Sequence, residues 1–268
     1  MRVAVVQMNS QENKDANLRQ AESLIEAAVA SERPDLVVLP EVFTLMGESR
    51  DAKRLASEDE GVGDAWKLLA GLAKKHGIYV HGGSILEKAA SDKLFNTSFV
   101  FDRAGKQIAK YRKIHLFDVT TPDGQSYRES ATFDGGSDVV TYKADDVTVG
   151  CTICYDMRFP ELYQALAKKG ADVIMVPAAF TLQTGKDHWE VLLRARAIET
   201  ETYIVAAAQT GTHANGTRAC WGHSLIADPW GLVLARAQEG IGFASARLDM
   251  NYLRTVRGRI PVMQHKRI

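Results

Sequence analysis

Two segments of this chain are near copies of one another: Asp35-Leu-Val-Val-Leu-Pro40 and Asp172-Val-Ile-Met-Val-Pro177. Each sets four apolar residues between an aspartate and a proline, the pattern of a short strand covered on both faces. Each is also preceded by a strand and a helix. Residues 3–8 read as a strand, and Leu18, Ala21, Leu24, Ile25, Ala28 and Val29 then recur at helical spacing. In the second half, the apolar run 147–153 is followed by a helix over 160–169. Strand, helix and parallel strand make a βαβ unit, and two such units leave few architectures open.

The segments between fill in the rest. Trp66, Leu69, Leu72 and Ala73 mark a further helix that Gly77 stops. Residues 78–85 and 95–101 read as strands, and Asp102-Arg-Ala-Gly105 turns a hairpin into a strand over 107–112. A helix over 187–200 follows the second unit, then strands over 203–208, 223–228, 233–236 and 242–248. The turn Asp228-Pro-Trp-Gly231 joins two of them. No linker or low-complexity tract interrupts the chain, so residues 1–268 are expected to form one α/β domain. Two βαβ-containing halves with many strands predict two packed sheets with helices outside.

Composition excludes several classes of partner. Lysine plus arginine equal aspartate plus glutamate at 33 each, so no basic excess favours nucleic acid or an anionic membrane. No apolar run approaches the ~18 residues of a membrane span. The first residues read as a strand, not as a signal peptide, and three cysteines are too few for a disulfide framework. A cytoplasmic location is expected.

Three chemical residues stand at strand ends. Glu41 follows Leu36-Val-Val-Leu-Pro40, where a partly desolvated carboxylate is a candidate general base or a mere cap. Lys113 ends Ile108-Ala-Lys-Tyr-Arg-Lys113 and shares strand parity with Ala109 and Tyr111, opposite Lys110 and Arg112. A lysine on the packed face must meet a carboxylate or a substrate charge. Cys154 leaves the run 147–153 for a stretch with the composition of a helix start. N–H groups and the dipole of such a helix would lower the thiol's pKa and hold an oxyanion. A buried, inert cysteine is the plainer alternative. Cys151-x-x-Cys154 and Cys220-x-x-His223 resemble halves of a zinc site, but residues 151 and 154 face opposite sides of a strand. No metal and no organic cofactor is expected. Glu129, in Tyr127-Arg-Glu-Ser130, reads on its own as a solvated loop acid, and His188 and Glu190 as capping or pocket residues.

Together these residues sit in recognisable motifs. Leu39-Pro-Glu41-Val-Phe43, Tyr111-Arg-Lys113-Ile-His-Leu-Phe-Asp118 and Ile153-Cys154-Tyr-Asp-Met-Arg-Phe-Pro-Glu161-Leu162 occur in the order of the nitrilase superfamily of carbon–nitrogen hydrolases. The chain resembles that family over almost its whole length. The resemblance implies a four-layer αββα sandwich and a Glu–Lys–Cys triad at Glu41, Lys113 and Cys154. It implies a fourth acid at Glu129 and an oxyanion donor in the Tyr155 N–H. Tyr127-Arg-Glu-Ser130, Trp221-Gly-His-Ser224 and the segments 184–197, 206–211 and 260–267 resemble the amidase branch. They point to the subgroup that hydrolyses deaminated glutathione through a cysteine thioester. The ω-amidases of 2-oxoglutaramate are the alternative, and a scaffold without turnover is the non-enzyme reading.

A carboxylate-bearing amide needs cationic or N–H donors. Arg158, four residues past Cys154, is expected to bind such a carboxylate or to pair with Asp156 or Glu161. Phe180, Thr181 and His188 are expected to line the same cleft. Trp189, Leu192, Leu193 and Ile198 cover more than one face of their helix. Family members pair through this region, which predicts a homodimer.

Overall fold

In the computed structural model, which describes residues 1–121 and 124–267, the two repeated units open two separate sheets. The first half runs β1 (Arg2–Gln7), α1 (Lys14–Glu32), β2 (Leu36–Val38), α2 (Arg50–Ala56), α3 (Asp64–His76), β3 (Tyr79–His81), β4 (Ile85–Lys88), β5 (Leu94–Phe101) and β6 (Gln107–Arg112). A small ribbon of β7 (Asp118–Thr120) and β8 (Ser126–Arg128) follows. The second half holds β9 (Thr141–Ala144), β10 (Val147–Cys151), α4 (Pro160–Lys168), β11 (Val173–Met175), α5 (Leu182–Thr200) and β12 (Tyr203–Ala206). Then come a hairpin of β13 (Thr210–His213) and β14 (Arg218–Trp221), strands β15 (Leu225–Ala227), β16 (Val233–Arg236) and β17 (Gly242–Arg247), and helices α6 (Met250–Arg259) and α7 (Val262–His265).

Strands β1, β2 and β3 are parallel in one sheet, and β10, β11 and β12 are parallel in the other. Strand β17 returns from the second half to pair antiparallel with β1, tying the halves together. Alternation assigns the faces. Val3, Val5, Leu36 and Val38 join the core that includes the second sheet, whereas Ala4, Val6, Val37 and Leu39 pack with Ile25 and Ala28 of α1 and Leu69 of α3. A register slip of one residue would exchange the two sets, so burial on both faces fixes the register. Tyr163 and Leu166 of α4 and Trp189 and Leu193 of α5 belong to the core of the second sheet. The layers run helix, sheet, sheet, helix, as the resemblance implies.

Some elements differ from the sequence reading. The expected strand over 78–85 is two strands, β3 and β4, broken at Gly82-Gly83-Ser84. Both pieces pair with β5. Gly83 has a φ of +56°, and a Cβ there would collide with the Pro40 carbonyl oxygen, so only glycine fits the approach. Ser84 N–H donates to that carbonyl (3.2 Å), and the kink thereby braces the chain next to Glu41. Helix α5 begins at Leu182, ahead of the expected residue 187, and α2 and α6 carry no expectation from the sequence.

Candidate active site

Three connections leave their sheets at the same end. Beyond β2 the chain places Glu41, beyond β6 Lys113 and beyond β10 Cys154, and all three are buried, at 3 %, 2 % and 7 % exposure. Lys113 Nζ donates to Glu41 Oε1 (2.8 Å) and to Glu129 Oε1 (3.1 Å) and Oε2 (2.9 Å). Cys154 lies close enough for the Glu41 carboxylate and the Lys113 ammonium both to act on its thiol. One buried cation thus lies between two acids, with the thiol within reach of its charge.

Each side chain is fixed from outside. Glu41 Oε2 accepts from Ala179 N–H (2.8 Å), and its backbone carbonyl accepts from Gln209 Nε2 (3.0 Å). Glu129 Oε2 accepts from Phe117 N–H (2.6 Å). Asn96 of β5 donates to Glu41 Oε1 (2.9 Å) and to Glu129 Oε1 (3.3 Å), a second donor bridging the two acids beside Lys113. Sequence reasoning missed Asn96. The available signal was Asn96-Thr97-Ser98, three polar residues in succession inside an apolar strand and all buried. Buried polar side chains need partners, so such a run marks a built contact.

The segment at Cys154 departs from expectation in one respect. Cys154 does not open an α-helix: residues Cys154–Arg158 form a 3₁₀ turn, and α4 starts only at Pro160. Cys154 has a φ of +47°, a left-handed conformation that costs a non-glycine residue about 1–3 kcal/mol. Its N–H donates to Pro177 O (2.8 Å), which ties the turn to the end of β11. The expected lowering of the thiol pKa is therefore overturned. Burial pushes the Cys154 thiol well above its ordinary value, the Glu41 carboxylate pushes it further, and the Lys113 ammonium offsets this only in part. For Lys113, burial alone would lower the pKa, but the carboxylates of Glu129 and Glu41 outweigh it and hold the ammonium well above its ordinary range.

A cavity opens over these groups and encloses about 1070 Å³ including its mouth. Phe180 and Thr181 line it, as does Tyr155, which follows Cys154. Arg158 and His188 do not. Arg158 lies over the Phe180 ring (5.1 Å) with its guanidinium 3.4 Å from His188 Nδ1, and it pairs with neither Asp156 nor Glu161. The tight turn after Cys154 sends Arg158 towards α5, away from the cavity. The cations that line the walls are instead Lys53 of α2, Arg128 at the end of β8 and Arg218 of β14. Burial, helped by the nearby Arg218 charge, lowers the Lys53 pKa. Arg218 pairs with Glu48 (3.1 Å) and lies over the Tyr127 ring (4.6 Å). Cys220 also lines the cavity, next to Thr181, and burial pushes its thiol pKa up.

This arrangement has relatives. The family model for carbon–nitrogen hydrolases matches residues 2–258. The deaminated glutathione amidase of Synechocystis is 42 % identical, with 98 % of this chain and 97 % of that protein covered. The solved structure of Saccharomyces cerevisiae Nit3, of branch 10 of the nitrilase superfamily, superposes with a TM-score of 0.90 at 35 % identity, covering 100 % of this chain and 97 % of Nit3. The Caenorhabditis elegans NitFhit protein superposes with a TM-score of 0.91 at 37 % identity over 99 % of this chain, which spans 65 % of that longer protein. The chain is an enzyme of the carbon–nitrogen hydrolase family, within the nitrilase superfamily.

Proposed function

We propose that Cys154 is the nucleophile of a thioester-forming amidase whose preferred substrate is deaminated glutathione. The observation that carries this reading is the set of groups on the floor of one cavity: Glu41 bonded to Lys113, Lys113 bonded to Glu129, and the Cys154 thiol within reach of the Glu41 and Lys113 charges. Glu41 takes the thiol proton as Cys154 attacks the amide carbonyl carbon. Burial and the Glu41 charge both favour the protonated thiol, so proton removal accompanies attack. The Lys113 ammonium and the Tyr155 N–H meet the oxyanion, where a single donor is worth about 2.7–4 kcal/mol. Glu41 returns its proton to the leaving nitrogen as the carbon–nitrogen bond breaks. It then takes a proton from water, which attacks the thioester and releases the acid and the thiol. Glu129 holds Lys113 in place.

The substrate class is read from the walls. The Synechocystis relative is named for deaminated glutathione, and Lys53, Arg128 and Arg218 give the cavity the cations that a carboxylate-bearing amide requires. We assign residues 1–268 to one catalytic unit, and its three free, buried cysteines suit a reducing cytoplasm. Among the described residues, no helix is long and apolar enough to cross a membrane. We also propose a homodimer. Val191 and Ile198 on the outer face of α5 lie exposed, and Ile198 contacts Gly231 in the turn that exposes Trp230 and Leu232. Trp189 and Leu193 face inward, so the helix is apolar on both sides.

A panel of deaminated glutathione, 2-oxoglutaramate, a neutral amide and a nitrile, assayed for product release, tests the substrate. The proposal expects the highest kcat/KM for deaminated glutathione. A preference for 2-oxoglutaramate would make the enzyme an ω-amidase.

A further inference from the structure

We propose that Asp156 is a positioning residue that sets the spacing of Cys154 and Lys113. These two groups come from different sheets: Lys113 follows β6 of the first and Cys154 follows β10 of the second. Something must hold one against the other. Asp156 is completely buried, two residues past Cys154. Its Oδ2 accepts from Ile153 N–H (2.9 Å) and from the Tyr111 hydroxyl (2.6 Å). Its Oδ1 accepts from His115 N–H (3.0 Å) and lies 2.7 Å from His115 Nδ1. Tyr111 and His115 flank Lys113 two residues to either side, while Ile153 and Asp156 flank Cys154. One carboxylate therefore ties both sides of the lysine to both sides of the nucleophile. The His115 ring is held in turn by stacking on Phe159, with centroids 3.7 Å apart.

The chemistry requires a carboxylate. Each oxygen of Asp156 accepts from one backbone N–H, on Ile153 or on His115. An asparagine has one acceptor oxygen and one donor NH₂. Whichever way its amide is turned, the NH₂ meets a backbone N–H. The isosteric substitution must therefore release one side of the clamp, either the nucleophile turn or the lysine segment. A displacement of about 1 Å at reacting groups can cost on the order of 100-fold in rate.

This inference rests on the proposed amidase mechanism, and its test separates the two. Asp156→Asn, Tyr111→Phe, His115→Ala and His115→Asn are compared for kcat, KM, melting temperature and the iodoacetamide alkylation rate of the Cys154 peptide. Asp156→Asn is expected to lower kcat on the order of 100-fold with KM little changed. Tyr111→Phe and His115→Ala should each lower kcat less, and His115→Asn, whose amide N–H can take the place of Nδ1, should recover most of the His115→Ala loss. Alkylation of Cys154 should slow in the same order, because a displaced Lys113 no longer favours the thiolate. A folded Asp156→Asn with wild-type kcat and alkylation overturns the proposal. If Asp156→Asn does not fold, wild-type kcat in both Tyr111→Phe and His115→Ala overturns it. Should the wild-type enzyme hydrolyse no amide, the mechanism fails, and the alkylation series alone decides the clamp: equal rates in all variants overturn it.

Discussion

The floor and the walls of the cavity are built by different rules. On the floor, Glu41, Lys113 and Cys154 leave strands of the two central sheets, and every charge has a fixed partner within hydrogen-bonding distance. On the walls, Lys53 stands on the seven-residue helix α2, Arg128 closes the ribbon β7–β8, and Arg218 lies in the hairpin β13–β14. Those elements lie outside both large sheets, and Arg128 is exposed to solvent. The floor is held by the register of strands in the two large sheets; the walls are short local structures outside them. On the proposed reading, chemistry falls to the sheet-borne floor and substrate choice to the walls.

Substitutions should separate the two regions by the size and the kind of their effects. The largest effect belongs to the proposed nucleophile. Cys154→Ala should lower kcat on the order of 10⁵- to 10⁶-fold, as loss of a covalent nucleophile does elsewhere, while Cys151→Ala, buried in strand β10, keeps most activity. Comparable losses in both variants would erase the distinction between a reactive and a structural thiol.

Next comes Glu41→Gln, with kcat reduced about 10²- to 10⁴-fold on loss of the general base. It carries an opposite sign in titration. The Glu41 charge raises the Cys154 pKa, so its removal should lower that pKa towards the ordinary thiol value, with burial still holding it up. The thiolate then appears at lower pH in a less active enzyme. Ultraviolet titration of thiolate absorbance, with Cys154→Ala as the blank, measures the shift; a rise in pKa would contradict the account.

Smaller effects belong to the walls. Arg218→Ala and Lys53→Ala should each lower kcat/KM for a carboxylate-bearing amide about 10- to 100-fold, the worth of a charge-assisted hydrogen bond of roughly 1.5–3 kcal/mol. A neutral amide of similar length should be nearly unaffected. Arg158→Ala, outside the cavity lining, should cost less than either; the reverse ranking would restore Arg158 to the carboxylate site. The smallest effect on chemistry is expected from Ile198→Asp, which should shift sedimentation from dimer to monomer with little change in kcat.

The same division governs what the sequence discloses. Glu41 and Cys154 were legible because each follows an apolar run that places it at a strand exit, and Lys113 because its strand parity sets it on the face of Ala109 and Tyr111. Glu129 was not: its own surroundings read as a solvated loop, and only the family resemblance brought it to the site. Asn96 and Asp156 meet partners 55 and 45 residues away in sequence, across contacts that only strand order creates. The cations of the walls depend on the paths of short hairpins, which carry no periodicity to read. The break at 82–84 was hidden for a related reason. Its cause is the close approach of Gly83 to Pro40, a tertiary contact with no local signature.

The central claim is that the floor works through a covalent bond to Cys154. Rapid quenching of the enzyme during turnover of deaminated glutathione, followed by mass spectrometry of its peptides, tests this directly. The account predicts a transient thioester that adds the mass of the 2-oxo acyl group to the Cys154 peptide and disappears as substrate is exhausted. Steady turnover with Cys154 unmodified, or an acyl group found on Cys220 instead, would contradict it.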